Sequence, residues 1–173
     1  MIKYLIVDPE HHYENFQKAD FVCYRNNDKQ NFEEKAKIFM TQAKNEGIEN
    51  IFLSEHYLLA AKLGADGVHL LSHQYIFVPE AQRRGLKVLI SCRTEAEIEE
   101  AIRKKVDYVV YSPVLSLPER SESEGLEDLT KMVSRYRISI IASGGIITPE
   151  QVEKVRKTGA SGFASVRFFT KKS

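Results

Sequence analysis

Short apolar runs recur along the chain: KYLIV (3–7), DFVCY (20–24), NIFL (50–53), GVHLL (67–71), KVLIS (87–91), YVVYS (108–112), ISIIAS (138–143) and GFASV (162–166). They are rich in β-branched or aromatic residues and run continuously apolar instead of alternating with polar positions. Strands buried on both faces of a parallel sheet read this way. The stretches between them follow a helical period. Phe32, Ala36, Phe39, Met40 and Ala43 fall on one face of a helix, with Gly47 placed to end it. TEAE (94–97) and TPEQ (148–151) are capping boxes, the second with proline at the first helical position. LGADGVHL (63–70) and TGASGFAS (158–165) repeat one unit, passing from a helix end through Gly-Ala-x-Gly into a strand.

Eight strands alternating with helices predict a (β/α)8 TIM barrel, with an open doubly wound sheet as the alternative. A chain of 173 residues suits a single domain spanning 1–173. The first and last helices are trimmed. Only about a dozen residues, 8–19, link the first two strands, close to the minimum for a crossover helix. After the last strand only RFFTKKS remains. The first and last helices would be neighbours on the barrel wall, so one sector should be thinly covered. There Phe168, Phe169, Tyr13 and Phe16 either fold over the sheet or meet a partner subunit, which makes a homodimer an expectation.

Composition narrows the partners. Lys and Arg (25) nearly balance Asp and Glu (24) and are scattered among them, so neither nucleic acid nor an anionic membrane is expected. No segment approaches the ~18 apolar residues of a membrane span, and the start has too short an apolar run for a signal peptide. The reading is a cytoplasmic protein. Cys23 and Cys92 lie inside apolar runs, without metal or redox spacing, and are expected as free buried thiols.

In a barrel of this kind the site lies at the C-terminal strand ends, with phosphate commonly held after strands seven and eight. ASGGIITPEQ (142–151) is the loop after strand seven, where Gly144 and Gly145 leave main-chain amides uncovered. Val166 and Arg167 follow strand eight beside Ser165. Backbone donors suit a phosphate dianion, whereas a tight turn alone would also explain the glycines. Other strand ends place Asp8, Arg25, Asn26, Asn27, Ser54, Glu55, His56, Ser72, His73, Ser91, Arg93, Thr94 and Ser112 at the same mouth. Arg25 and Arg93 could hold a second anionic group. Glu55 could serve a cation or a proton transfer, or simply sit at a helix N-terminus. The histidines show no metal-ligand spacing, and His69 lies inside a strand. LSLPERSESEGLEDL (115–129) reads as a lid or a mobile loop before its helix.

GADGVHL (64–70), YSPV (111–114), GL (125–126) and ASGGI (142–146), in that order and spacing, resemble the thiamine phosphate synthase/TenI family. The resemblance runs from Phe21 onward. It implies a (β/α)8 barrel and thiamine metabolism. Synthases of the family join a pyrimidine pyrophosphate to a thiazole phosphate with Mg2+, whereas TenI-type members isomerise the thiazole phosphate. The resemblance supports Gly144, Gly145, Val166 and Arg167 as phosphate contacts, keeps Arg25 from an Arg-x-Lys pattern, and matches Ser91 to the serine after strand five.

Other family positions have changed. The lysine is Asn27, the two metal aspartates are Glu55 and Gln74, and the threonine-rich diphosphate loop is Leu117-Pro118-Glu119-Arg120. The tautomerase histidine position is Pro113, whose side chain can move no proton. Three readings follow. One is a diverged Mg2+-dependent synthase with Glu55, Ser91 and Arg120 as catalytic groups. Another is a barrel that binds a thiazole phosphate-like ligand without turnover, as a regulator or carrier. The third is a different reaction on the same anchor, with Glu55, His56 or His73 as acid/base.

Overall fold

The eight apolar runs become parallel strands: β1 (Ile2–Val7), β2 (Phe21–Tyr24), β3 (Ile51–Ser54), β4 (Gly67–Leu70), β5 (Lys87–Cys92), β6 (Tyr108–Tyr111), β7 (Ser139–Ser143) and β8 (Gly162–Ser165). The structure is a computed structural model and describes residues 1–8, 16–26, 30–116 and 119–170. Each strand pairs with its neighbour in sequence, and β1 pairs with β8 through Ile2↔Gly162 and Leu5↔Ser165. That last pairing closes the barrel and removes the open-sheet alternative.

The helices are α1 (Phe32–Asn45), α2 (Tyr57–Leu63), α3 (Val78–Arg83), α4 (Glu95–Arg103), α5 (Glu122–Arg135) and α6 (Pro149–Lys157). The apolar face read from the sequence, Phe32 to Ala43, is the buried face of α1. Thr94 accepts from the Glu97 amide and Thr148 from the Gln151 amide, each at 3.3 Å, so both capping boxes form. Ser121 and Glu124 make a third box, which starts α5. Gly64 and Gly159, the paired corners of the internal repeat, both take left-handed φ (72° and 84°).

The two short stretches that flank β1 and β8 hold 3-10 turns. Among the described residues, a 3-10 turn (Phe16–Lys18) stands between β1 and β2, and another (Arg167–Phe169) follows β8. Phe16 and Phe169 are buried, and Phe168 packs edge-on against Phe163 at 5.0 Å between ring centroids. These rings fold over the sheet and pack on the sector beside β1 and β8. Tyr13 lies outside the described residues.

Because side chains alternate across each strand, the closed sheet has two cores. Tyr4, Ile6, Phe21, Cys23, Phe52, Leu89, Val110, Ile141 and Ala164 fill the inside. Leu5, Val22, Leu53, Val68, Ile90, Val109 and Ile140 face outward among the larger cluster shared with the helices. Both cysteines are free and buried, as expected.

The N-terminal rim is tied by one repeated device. Asp20, Asp66 and Asp107 stand immediately before β2, β4 and β6. Their carboxylates accept from the amides of Lys3, Ile51 and Val88, at the start of the preceding strand, at 2.8, 2.8 and 2.7 Å. The amides of the same aspartates donate back to the carbonyls of Lys3, Ile51 and Val88. Amides that would otherwise be strand-end orphans thus gain an ionised acceptor.

Candidate phosphate site at the barrel mouth

The loop after β7 needs glycine for two separate reasons. Gly144 and Gly145 take φ of 94° and 79°, where residues with a Cβ are strained. A Cβ on Gly144 would also lie 2.9 Å from Pro113 Cα, and one on Gly145 would lie 2.8 Å from the Leu115 carbonyl carbon. The loop after β6 presses against this turn and is hydrogen-bonded to it, Val114 N–H to the Ser143 carbonyl (2.8 Å) and Leu115 N–H to the Gly144 carbonyl (2.9 Å). On its other side, Gly125 of α5 gives way to the Val114 carbonyl, which an added Cβ would meet at 1.8 Å. Three glycines therefore seat one loop. The turn function of the glycine pair is real, and it leaves the amides available.

Among the described residues, no hydrogen bond takes up the N–H of Gly144 or Gly145. Both glycines line a cavity of about 250 Å3 with Ser143, Ile146, Ser165, Val166, Arg167 and Arg25. Ser165 fixes the two loops relative to each other: its hydroxyl donates to the Ile146 carbonyl (2.7 Å) and accepts from the Phe168 amide (3.1 Å). The N-terminus of α6 is already satisfied, because Gln151 Oε1 accepts from the amides of Ile147 (2.8 Å) and Thr148 (3.1 Å). The glycine turn therefore keeps open donors, and the Val166 and Arg167 amides beside it likewise meet no acceptor among the described residues.

A second cavity, of about 430 Å3, adjoins the first and shares Ile6, Arg25, Ser112 and Ser143 with it. Its wall also includes His69, Ser72, His73, Ser91, Cys92, Arg93 and Glu97. Arg25 reaches toward both cavities and lies 3.6 Å from Asp8. At the floor, His69 is buried, with Nδ1 2.8 Å from the Tyr4 hydroxyl and Nε2 2.9 Å from Ser91 Oγ. Burial, then the Arg25 cation, push the His69 imidazole down to about 4. Burial likewise pushes the Tyr4 phenol well above its usual value and the Cys23 thiol up to about 12. His69 is thus a neutral group at physiological pH.

Of the residues singled out in the sequence, the barrel brings Arg25, Ser91, Gly144, Gly145, Val166 and Arg167 to one mouth, with Ser72, His73, Arg93 and Ser112. Others line neither cavity, among them Ser54, His56 and Thr94. Glu55 takes a left-handed φ of 67° just after β3, its amide bonded to the His69 carbonyl (2.9 Å), and it lines neither cavity. Arg120 pairs with Asp128 of α5 and also lines neither. Gln74 Oε1 accepts from the Leu71 amide at 2.9 Å and caps a 3-10 turn (Ser72–Phe77). Asn27, Leu117 and Pro118 lie outside the described residues. Segment 115–129 is a helix from Glu122 onward.

The donors at the two positions that the resemblance matches to metal aspartates do not fit Mg2+. One of them is an amide already engaged, the other is a carboxylate outside the cavity, and no group of three or more His, Cys, Asp or Glu that could hold a metal occurs among the described residues.

A sequence profile described as thiamine monophosphate synthase matches residues 13–169. The chain belongs to this family, thiamine phosphate synthase/TenI. It is 31% identical over 127 residues to the thiamine-phosphate synthase of Photorhabdus laumondii, covering 70% of this chain and 58% of that protein. To the Syntrophomonas wolfei enzyme of the same name it is 27% identical over 140 residues, covering 78% and 66%. The chain thus spans a little over half to two thirds of the length of the curated relatives it matches. Among solved structures it resembles thiamine phosphate pyrophosphorylase from Pyrococcus furiosus, with a TM-score of 0.75, 23% identity, and 95% and 85% of the two chains covered. At that identity the likeness speaks for the fold. No helix among the described residues is long and apolar enough to cross a membrane.

Proposed function

We propose that this member of the thiamine phosphate synthase/TenI family holds a phosphorylated small molecule of thiamine metabolism, with its phosphate on the glycine turn after β7. One observation carries the reading: the Gly144 and Gly145 amides have no acceptor among the described residues and line a cavity flanked by Arg167 and Arg25. Two amides and two guanidinium groups match the charge and the acceptor number of a phosphate dianion. The adjoining 430 Å3 cavity would take the rest of the ligand, a thiazole-sized ring.

Binding without synthase turnover is the form of this function that the side chains favour. Glu55 and Arg120, the groups a synthase reading would use for Mg2+ and diphosphate, stand away from both cavities. Calorimetric titration with thiazole phosphate and with the unphosphorylated thiazole alcohol tests the anchor. The phosphate ester is expected to bind at least tenfold more tightly; equal affinities would refute it. Incubation with the pyrimidine pyrophosphate and Mg2+ separates the two forms, because formation of thiamine phosphate would establish the synthase and displace the binding-only reading.

A further inference from the structure

We infer that Tyr4 and His69 are positioning residues, which hold the Ser91 hydroxyl as a hydrogen-bond donor directed at a ligand atom in the larger cavity. Inside the barrel these groups stand among Phe21, Phe52, Leu89, Val110 and Ile141. Polar atoms in such surroundings are retained only when paired. Tyr4 and His69 are brought within 2.8 Å of each other across the barrel interior, from β1 and β4, and Ser91 completes the row from β5 at 2.9 Å.

The direction of the protons follows from what each atom can do. A phenol donates more readily than it accepts, and the other neighbour of the Tyr4 hydroxyl is Cys23, whose sulfur is a weak acceptor. The phenol proton therefore goes to His69 Nδ1. A neutral imidazole with an accepting Nδ1 carries its proton on Nε2, which donates to Ser91 Oγ. Ser91 then receives a hydrogen bond from below, and its own proton has no acceptor among the described residues other than what enters the cavity. The reverse order would make His69 a base for Ser91. It would also leave the phenol proton facing only the Cys23 sulfur, so it is disfavoured.

Ser91 in this arrangement is a donor and not a nucleophile, and it selects a ligand that carries an acceptor, such as an anionic oxygen or a ring nitrogen. The identity of that ligand rests on the phosphate reading of the adjoining glycine turn; the proton arrangement does not. Long-range 1H–15N correlation on the ligand-free protein reads the His69 tautomer directly. The expected result is an unprotonated Nδ1. Tyr4→Phe, which keeps the ring contacts with Phe21 and Phe52, should let the proton redistribute between the two nitrogens.

Titrations with inorganic phosphate and with thiazole phosphate supply the second measurement. Ser91→Ala and Tyr4→Phe should each weaken thiazole phosphate about fivefold and leave inorganic phosphate unchanged. A protonated Nδ1 in the wild type, or unchanged thiazole phosphate affinity in both variants, overturns the assignment. Loss of inorganic phosphate binding alone, with the Ser91 effect intact, would remove the glycine-turn anchor and leave this arrangement standing. Wild-type protein that binds neither probe overturns both.

Discussion

The two rims of the barrel treat the same backbone groups in opposite ways. At the N-terminal rim, Asp20, Asp66 and Asp107 meet the strand-start amides of Lys3, Ile51 and Val88 with carboxylates. At the C-terminal rim, Gly144 and Gly145 hold left-handed turns whose amides meet no acceptor among the described residues. The closed rim satisfies its donors internally, whereas the open rim keeps donors in reserve, as the proposed ligand site requires. Between them, the barrel interior carries one polar row, Tyr4–His69–Ser91, leading upward to the open rim.

That interior row gives the largest expected effect. The His69 imidazole titrates at about 4 in the fold against an ordinary value of 6.5, so the unfolded chain takes up a proton first as the pH falls. Full stability is expected above pH about 6.5, with a loss of roughly 3 kcal/mol on descending toward pH 4. Urea titrations across this window should show that slope in the wild type, and His69→Gln should flatten it. A slope unchanged by the substitution would place the titration elsewhere.

At the open rim, Gly125→Ala should destabilise by about 2 kcal/mol through its overlap with the Val114 carbonyl. It should also weaken thiazole phosphate, because the Val114–Leu115 strip no longer seats the glycine turn. Gly145→Val should lower stability by a similar amount, about 2 kcal/mol for a branched residue at positive φ, and abolish inorganic phosphate binding. Phosphate binding retained by a folded Gly145→Val protein would break the contrast between the rims.

The closed rim should respond in stability alone. Asp66→Ala is expected to cost about 1.5 kcal/mol, with no change in affinity for thiazole phosphate. The smallest effect is Arg167→Ala, whose side chain is exposed: a severalfold loss of inorganic phosphate affinity, shrinking as salt is raised. An Asp66 variant that lost ligand, or an Arg167 variant that lost stability, would show that the two rims are not separate in function.

Much of this was legible from residue order. The strands are visible because both faces of a closed parallel sheet are buried, so their runs carry no polar alternation. α1 is visible because Phe32, Ala36, Phe39, Met40 and Ala43 keep one helical face, and α4 and α6 because threonine and its partner three residues on declare a cap. The glycine turn is visible because few other residues permit it. The aspartate device is not read from periodicity, although its mark is local: an aspartate directly before the second, fourth and sixth strands. Strand-end position alone does not report that Glu55 takes a left-handed φ and lines neither cavity.

What the sequence determined by itself was whatever depends on short-range periodicity and capping: eight strands, their intervening helices, and a double-glycine turn. Closure of β8 on β1 decided the rest. It set Tyr4 opposite His69 across the interior, 65 residues apart in the chain, and gave the loop after β6 a glycine on either side. Such contacts join residues distant in the chain, and no local pattern encodes them, because register and strand twist fix which side chains meet inside a cylinder.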